Sequence, residues 1–301
     1  MVPAVSCTNP SPGGRTNGRK MRRVEVLAYV FFALIGVSAV ASAQWVHYPT
    51  EGIPRKPDGK PDMTAPVPRL PDGHPDLSGV WHARQPRQCE NAEGQSVPCG
   101  SEIGGSPLGG NLGRNLPGGT LPYQPWAAKL FQERHAVLSI DDPHVRCLPD
   151  NPPRSWTLPH LTKAVHTPKL LVLLYEVNAM YRQIFIDGRP QPTDPTPTWN
   201  GYSTAHWEGD TLVVQTEGFR DGLWIDTWGS PMSDVAKMTE KMRRPNFGSL
   251  EIEVTIDDPK VYTKPFTVNL SESLEADTDL IDEFCLEGEK DYERLQRLRS
   301  K

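Results

Sequence analysis

Residues 169–186 read KLLVLLYEVNAMYRQIFI. Two runs rich in aliphatic and aromatic residues flank Asn178-Ala179, a pair that suits a two-residue hairpin turn. Folded about that turn, Tyr175 stands opposite Arg182 and Glu176 opposite Tyr181. Strand alternation then divides the side chains between two faces. Arg182 shares its face with Tyr175, Leu173, Ile184 and Ile186. Glu176, Tyr181, Leu174, Gln183, Val172 and Phe185 take the other. The first face is apolar at depth and polar near the turn, which is what the inner wall of a small-ligand barrel needs. It is therefore expected to point inward, with Tyr175 and Arg182 at the rim near Tyr202 or His206. A one-residue slip of register would reverse the assignment.

The same pattern recurs downstream. GYSTAHW and DTLVVQTEGF flank Glu208-Gly209, which pairs His206 with Thr211 and Ser203 with Val214. VAKMTEKMRR and SLEIEVTI flank PNFG, and PFTVNLSES is expected to pair with TDLIDEFCLE. With LSGVW as an opening strand, these hairpins make about nine antiparallel strands by the alternation rule. The expected fold class is all-β: an antiparallel meander forming a lipocalin-like barrel or strongly curled sheet. One inserted helix is expected over about 123–138, where Trp126, Leu130 and Phe131 recur at helical spacing. A short charged helix, GEKDYERLQRLRS, closes the chain.

Ahead of LSGVW the chain says nearly the same thing twice. PRKPDGKPD at residues 54–62 returns as PRLPDGHPD at 68–76. Each Pro-Asp-Gly reads as a tight turn. The proline density excludes helix and central strand. Residues 44–76 are thus expected to form an extended Pro-rich arm with two turns and no ladder strand. The domain proper then runs over 77–301, with a Gly-rich insertion at about 84–122. That insertion lacks both G-K-[ST] and a strand-borne G-x-G-x-x-G, so it is not a nucleotide-phosphate loop.

Residues 1–43 hold a basic pair, Arg22-Arg23, an apolar run and Ala41-Ser42-Ala43. This is the pattern of a secretory leader. The expected location is periplasmic or extracellular, with no stable membrane insertion once the leader is gone. Removing those residues takes five of the 32 basic and one of the 37 acidic side chains, leaving 27 against 36, a net of −9. Such a balance, without a Lys/Arg cluster, makes nucleic acid a poor partner. Four cysteines remain, Cys89, Cys99, Cys147 and Cys285. In an exported chain they allow two disulfides. Cys89–Cys99 closes a short loop, and Cys147–Cys285 follows by elimination. No C-x2-C spacing with a nearby His pair points to zinc. Asp257-Asp258-Pro259 lacks calcium-loop spacing. His160 and His166 lie too far apart on an extended stretch to share an ion. No metal and no cofactor is expected.

Gly79-Val80-Trp81 on a first strand, followed by a meander and a late helix, resembles the lipocalin-like (calycin) barrels. A longer set of phrases, PDGHPDLSGVW, DDPHVRCLP, YRQIFIDGRP, PTWNGYSTAHWEGDTLVV and IDDPKVYTKPFTV, is similar to a large group of uncharacterised secreted bacterial proteins. The first resemblance implies a barrel and the second implies export. Neither implies an activity.

Polar and aromatic groups concentrate between residues 175 and 228. Tyr175, Arg182, Trp199, Tyr202 and Trp224 are the candidate ligand-binding residues. His206, Tyr181 and Asp226 are the candidate acid–base groups. No G-x-S-x-G, H-E-x-x-H or nucleophilic-cysteine context accompanies them. Three functions follow from the sequence. The first is an exported barrel binding a small apolar or carbohydrate-like molecule. The second is a hydrolase, lyase or isomerase on the same barrel. The third is an envelope protein acting through its Pro-rich arm.

Overall fold

The computed structural model describes residues 49–84, 88–90, 96–98, 110–137, 139–288, 293 and 297. The expected leader, the Cys89–Cys99 bridge, much of the Gly-rich insertion and most of the C-terminal charged helix lie outside the described residues. No helix among the described residues is long and apolar enough to cross a membrane.

Nine strands close into a barrel. They are β1 (Gly79–Ala83), β2 (Thr162–Thr167), β3 (Leu170–Tyr175), β4 (Tyr181–Phe185), β5 (Tyr202–Glu208), β6 (Thr211–Glu217), β7 (Lys237–Asn246), β8 (Ser249–Asp257) and β9 (Phe266–Leu274). Sequence neighbours are wall neighbours throughout, and β1 closes the ring between β2 and β9. The fold is the all-β barrel that the alternation implies. Leu173, Ile184, Leu212, Val214, Ile252 and Val254 fill the interior and are essentially inaccessible to solvent. Burying each such side chain stabilises the fold by about 1.5–3 kcal/mol.

Three local expectations are corrected. The chain does not pair antiparallel throughout: β4 and β5 run parallel. Direction alternates around an antiparallel ring, so an odd number of strands leaves one joint parallel. Residues 186–201 make the crossover that this joint requires. Second, TDLIDEFCLE is not a strand. The ninth position in the wall belongs to β2, which pairs with β3 across Pro168-Lys169. Its prolines at 159 and 168, which frame it, mask it in the sequence. Residues 278–284 instead strap the outside, held by Lys163–Asp279 and by Glu176 accepting the Ile281 N–H. Third, two hairpins are slipped by two residues. Leu173, not Tyr175, stands opposite Arg182. His206 stands opposite Val213 and Ser203 opposite Thr216. In the second hairpin the turn is Gly209-Asp210. Gly209 has φ +60°, which the first central position of such a loop requires. A two-residue slip preserves the faces, so the Arg182 face does point inward.

Helix α1 (Pro125–Ala136) lies against the barrel close to its expected limits. Trp126, expected to lead its apolar face, is 51% exposed. Its indole N–H reaches out to the Lys260 carbonyl at 3.0 Å. Ala127 is the side chain that the helix buries completely. A short helix α2 (Cys285–Gly288) follows the strap.

The repeated arm forms two copies of one small loop. In the first, Gly59 N–H donates to the Lys56 carbonyl and Arg55 reaches back to the Gly59 carbonyl at 3.1 Å. In the second, Gly73 N–H donates to the Leu70 carbonyl and Arg69 reaches the Gly73 carbonyl at 2.9 Å. Each arginine then grips a carboxylate beyond the arm, Arg55 with Asp277 and Arg69 with Asp210. Between the copies, Met63 and Ala65 carbonyls accept N–H groups from Gly248 and Phe247 in the β7–β8 turn. A Cβ at Gly248 would lie 2.5 Å from Met63, so only glycine lets the arm approach.

One interior carboxyl has no described counterpart. Glu272, on β9 between Ala83 and Leu250, is 2% exposed. Its Oε1 has no hydrogen-bond partner among the described residues. Burial pushes its carboxyl well above the usual range. A folded-state value above the unfolded one means that the folded chain holds the extra proton. Stability is therefore greatest below the unfolded value, about 4.3, and falls as pH rises toward the folded one. Glu272→Met should raise the melting temperature, and by more at pH 8 than at pH 4.5. The gain accrues at up to about 1.4 kcal/mol per pH unit in that window. Thermal scans of both proteins at the two pH values check this. A difference independent of pH would refute it.

Candidate functional site

The parallel joint is short. Only Ile184–Ser203 and Phe185–Thr204 are in register across it. Ahead of these pairs β4 and the incoming residues 198–201 diverge, and Asn200 spans the gap by donating its side-chain amide to the Tyr181 carbonyl at 3.0 Å. A cleft of about 540 Å³ opens there. Tyr181, Trp199 and Tyr202 line it, with Asn200 between them and Arg182 and Ser203 included in the lining. Four of the eight sequence-derived site residues thus meet at one place.

The walls are aromatic and the edges polar. Tyr181 is 61% exposed, a large value for a tyrosine beside a recess. The Tyr202 ring stacks on Phe185, 5.3 Å between centroids, and Arg189 lies over the opposite partner at 3.8 Å from the Phe185 ring. Arg189 also donates to the Tyr202 hydroxyl and is clamped by Asp187. Arg220 lies 4.5 Å from the Trp199 ring centroid. The Asn200 side-chain oxygen is buried and has no hydrogen-bond partner among the described residues.

Behind the cleft, Arg182 is not at a rim but in the barrel centre, 2% exposed. It forms an ion pair with Glu240 of β7, whose Oε1 accepts a further bond at 3.1 Å. Arg182 also donates to Ser203 Oγ at 3.1 Å and Thr216 Oγ1 at 2.8 Å. The Trp156 indole N–H donates to Glu240 at 3.0 Å. The pair crosses the interior from β4 to β7, past β5 and β6. Tyr175 is buried on the same face, and the charge of Arg182 beside it opposes the upward push of burial on its hydroxyl. The expected polar rim is a polar centre, because the two-residue slip carries Arg182 deeper.

The remaining candidates are placed apart. His206 points outward on β5, exposed, with Nε2 3.4 Å from Glu208. Its face alternates with Ser203, Ala205 and Trp207, which turn inward. Asp226 is fully buried. It accepts bonds from the backbone N–H groups of Leu112, Trp228 and Ser230 and from the Ser230 hydroxyl. Burial pushes its carboxyl up against the pull of those donors. It ties the turn at Leu112 to its own loop, residues 226–230. Trp224 is buried under Arg134, 4.4 Å from its ring centroid, and Asp226 and Trp224 do not line the cleft. Tyr181, His206 and Asp226 therefore do not converge on one proton.

Sequence reasoning missed Glu240, Ser203, Thr216 and Trp156. Glu240 alternates with Met238 and Met242 on β7, and that single acidic residue on an otherwise apolar face was its available signal. Comparison with known protein families, with curated proteins and with solved structures finds no match.

Proposed function

We propose that the protein is an exported small-molecule-binding barrel that holds a ring-bearing, carbohydrate-like ligand in the cleft at the β4–β5 joint. The observation that carries this reading is the meeting of Tyr181, Trp199 and Tyr202 in one cleft, beside Asn200 and Arg182. Aromatic faces stack on the apolar face of a ring, and a few polar groups at the edge of a cleft orient it. Export is supported by the Cys147–Cys285 disulfide, a bond that persists in oxidising compartments.

An acid–base enzyme on this cleft would draw on Tyr181, since His206 and Asp226 lie elsewhere. The arm-mediated alternative loses its support, because Arg55, Arg69 and His74 are committed to Asp277, Asp210 and the Trp207 ring.

Calorimetric titration against a panel of soluble oligosaccharides and aromatic glycosides tests the reading. A binder should emerge whose affinity falls about tenfold or more in Trp199→Ala, the equivalent of about 1.4 kcal/mol. The loss should be similar in Tyr181→Ala and absent in His206→Ala. A binder unaffected by both cleft substitutions, or a panel with no binder, would overturn it.

A further inference from the structure

A second cluster shares no residue with the cleft. His144 lies in the single turn Pro143–Arg146, where Asp142 caps its backbone N–H at 2.9 Å. Its Nδ1 meets Asp150 Oδ2 at 2.8 Å. Asp150 is buried, and its other oxygen lies 2.9 Å from Arg154 Nε. Arg154 is itself gripped by both oxygens of Asp142 at 2.8 Å. Beside this array, His160 Nδ1 meets Glu283 Oε2 at 2.9 Å. The two imidazole centroids are 6.4 Å apart. Glu283 arrives from the strap that Cys285 fastens to Cys147, so the fold brings the distant strap to the two histidines of the 142–160 stretch.

The arrangement has a chemical direction. His144 has Nδ1 hydrogen-bonded to Asp150, which turns its Nε2 away from that carboxylate, and His160 has Nδ1 in close contact with Glu283. Neither Nε2 has a hydrogen-bond partner among the described residues. Both rings are partly exposed. Asp142, Asp150 and Glu283 set three negative charges against the one positive charge of Arg154. Three carboxylates against one guanidinium leave a net charge of −2, which favours a dication. A carboxylate behind each imidazole is the arrangement that orients metal-binding histidines, and imidazole nitrogen suits zinc and copper.

We propose that His144 and His160 bind a divalent transition-metal ion through Nε2, with Asp150 and Glu283 orienting the two rings. Nε2–metal bonds of about 2.0–2.1 Å draw the rings closer than 6.4 Å, a movement open to partly exposed side chains. No group of three or more His, Cys, Asp or Glu among the described residues is placed to hold an ion. The remaining coordination positions fall to solvent.

Zinc and copper(II) salts are titrated into the full chain, dialysed against chelator and with free thiols alkylated. One ion should bind per chain. His144→Ala and His160→Ala should each weaken binding at least tenfold, and Glu283→Gln by about 10- to 100-fold. His206→Ala should leave binding unchanged. Circular dichroism and melting temperature establish that each variant is folded. Glu283→Gln and His160→Gln, altered at partly exposed positions, keep the test decisive should the His144 variant fail to fold. Absence of binding by the parent chain, or binding unchanged in the folded His160 and Glu283 variants, would show that His144–Asp150 only braces its own loop and His160–Glu283 only fastens the strap.

Discussion

Glu240→Gln should lower the stability of the protein by about 3–5 kcal/mol. The substitution keeps the shape of the side chain and removes its charge. What remains is the Arg182 guanidinium, 2% exposed in the centre of the barrel. Ser203 and Thr216 satisfy two of its donors, but neither carries a charge. At roughly 2–4 °C per kcal/mol for a domain of this size, the melting temperature should fall by about 10 °C. The complementary variant separates charge from packing. Replacing both partners, Arg182→Met with Glu240→Leu, removes the unpaired charge and should recover most of the loss, since apolar replacements of buried ion pairs are often neutral or stabilising. Thermal scans of parent, single and double variants measure the coupling. A Glu240→Gln shift of under about 2 °C would contradict the account. The double variant also separates folding from binding: it should fold and yet present an altered floor to the cleft.

Breaking the Cys147–Cys285 bridge should have an effect of similar size. The two cysteines are 138 residues apart in sequence. A cross-link of that span removes much of the freedom of the unfolded chain, about 5 kcal/mol by the loop-entropy relation, within a usual range of 2–5 kcal/mol. Cys147→Ser with Cys285→Ser should therefore lower the melting temperature by about 10 °C. The loss should have a local signature as well. With the bridge gone, the strap at residues 278–284 keeps the Lys163–Asp279 pair, the Glu176 contact and the His160–Glu283 pair. Surface pairs of this kind contribute little, so limited proteolysis should cut the strap before any barrel strand. A melting temperature unchanged by the double substitution would defeat the prediction.

Legibility followed sequence distance. The hairpins were readable because each turn and its flanking alternation occupy one short stretch. The errors in them came in steps of two, which leave every side chain on its proper face. The Arg182 face could thus be assigned inward while the partner of Arg182 was misplaced. β2 was not readable, since Thr162–Thr167 carries Lys163 and His166 and is bounded by prolines. TDLIDEFCLE was misread for the opposite reason: its apolar residues serve a strap and not a ladder. Tyr181, Arg182, Trp199 and Tyr202 stood out as a local concentration of aromatic and polar groups, and they do meet. Glu240, in contrast, reaches Arg182 only through barrel closure, and His144, His160 and Glu283 meet only through the strap. No local pattern encodes either encounter.

The single parallel joint has a mechanical meaning. Most of the wall is stitched by longer ladders, such as Leu250–Glu272 through Ile256–Phe266 between β8 and β9, and the two seams of β1 carry three pairs each. At β4–β5 the stitching is reduced to Ile184–Ser203 and Phe185–Thr204. A tube loaded from within or without yields first along its least reinforced line. In this protein that line coincides with the aromatic cleft and lies over the Arg182 guanidinium. Widening the gap there sacrifices fewer main-chain bonds than at any fully laddered pair of strands. Arithmetic of strand number, and not any one side chain, thus decides where the barrel is easiest to open.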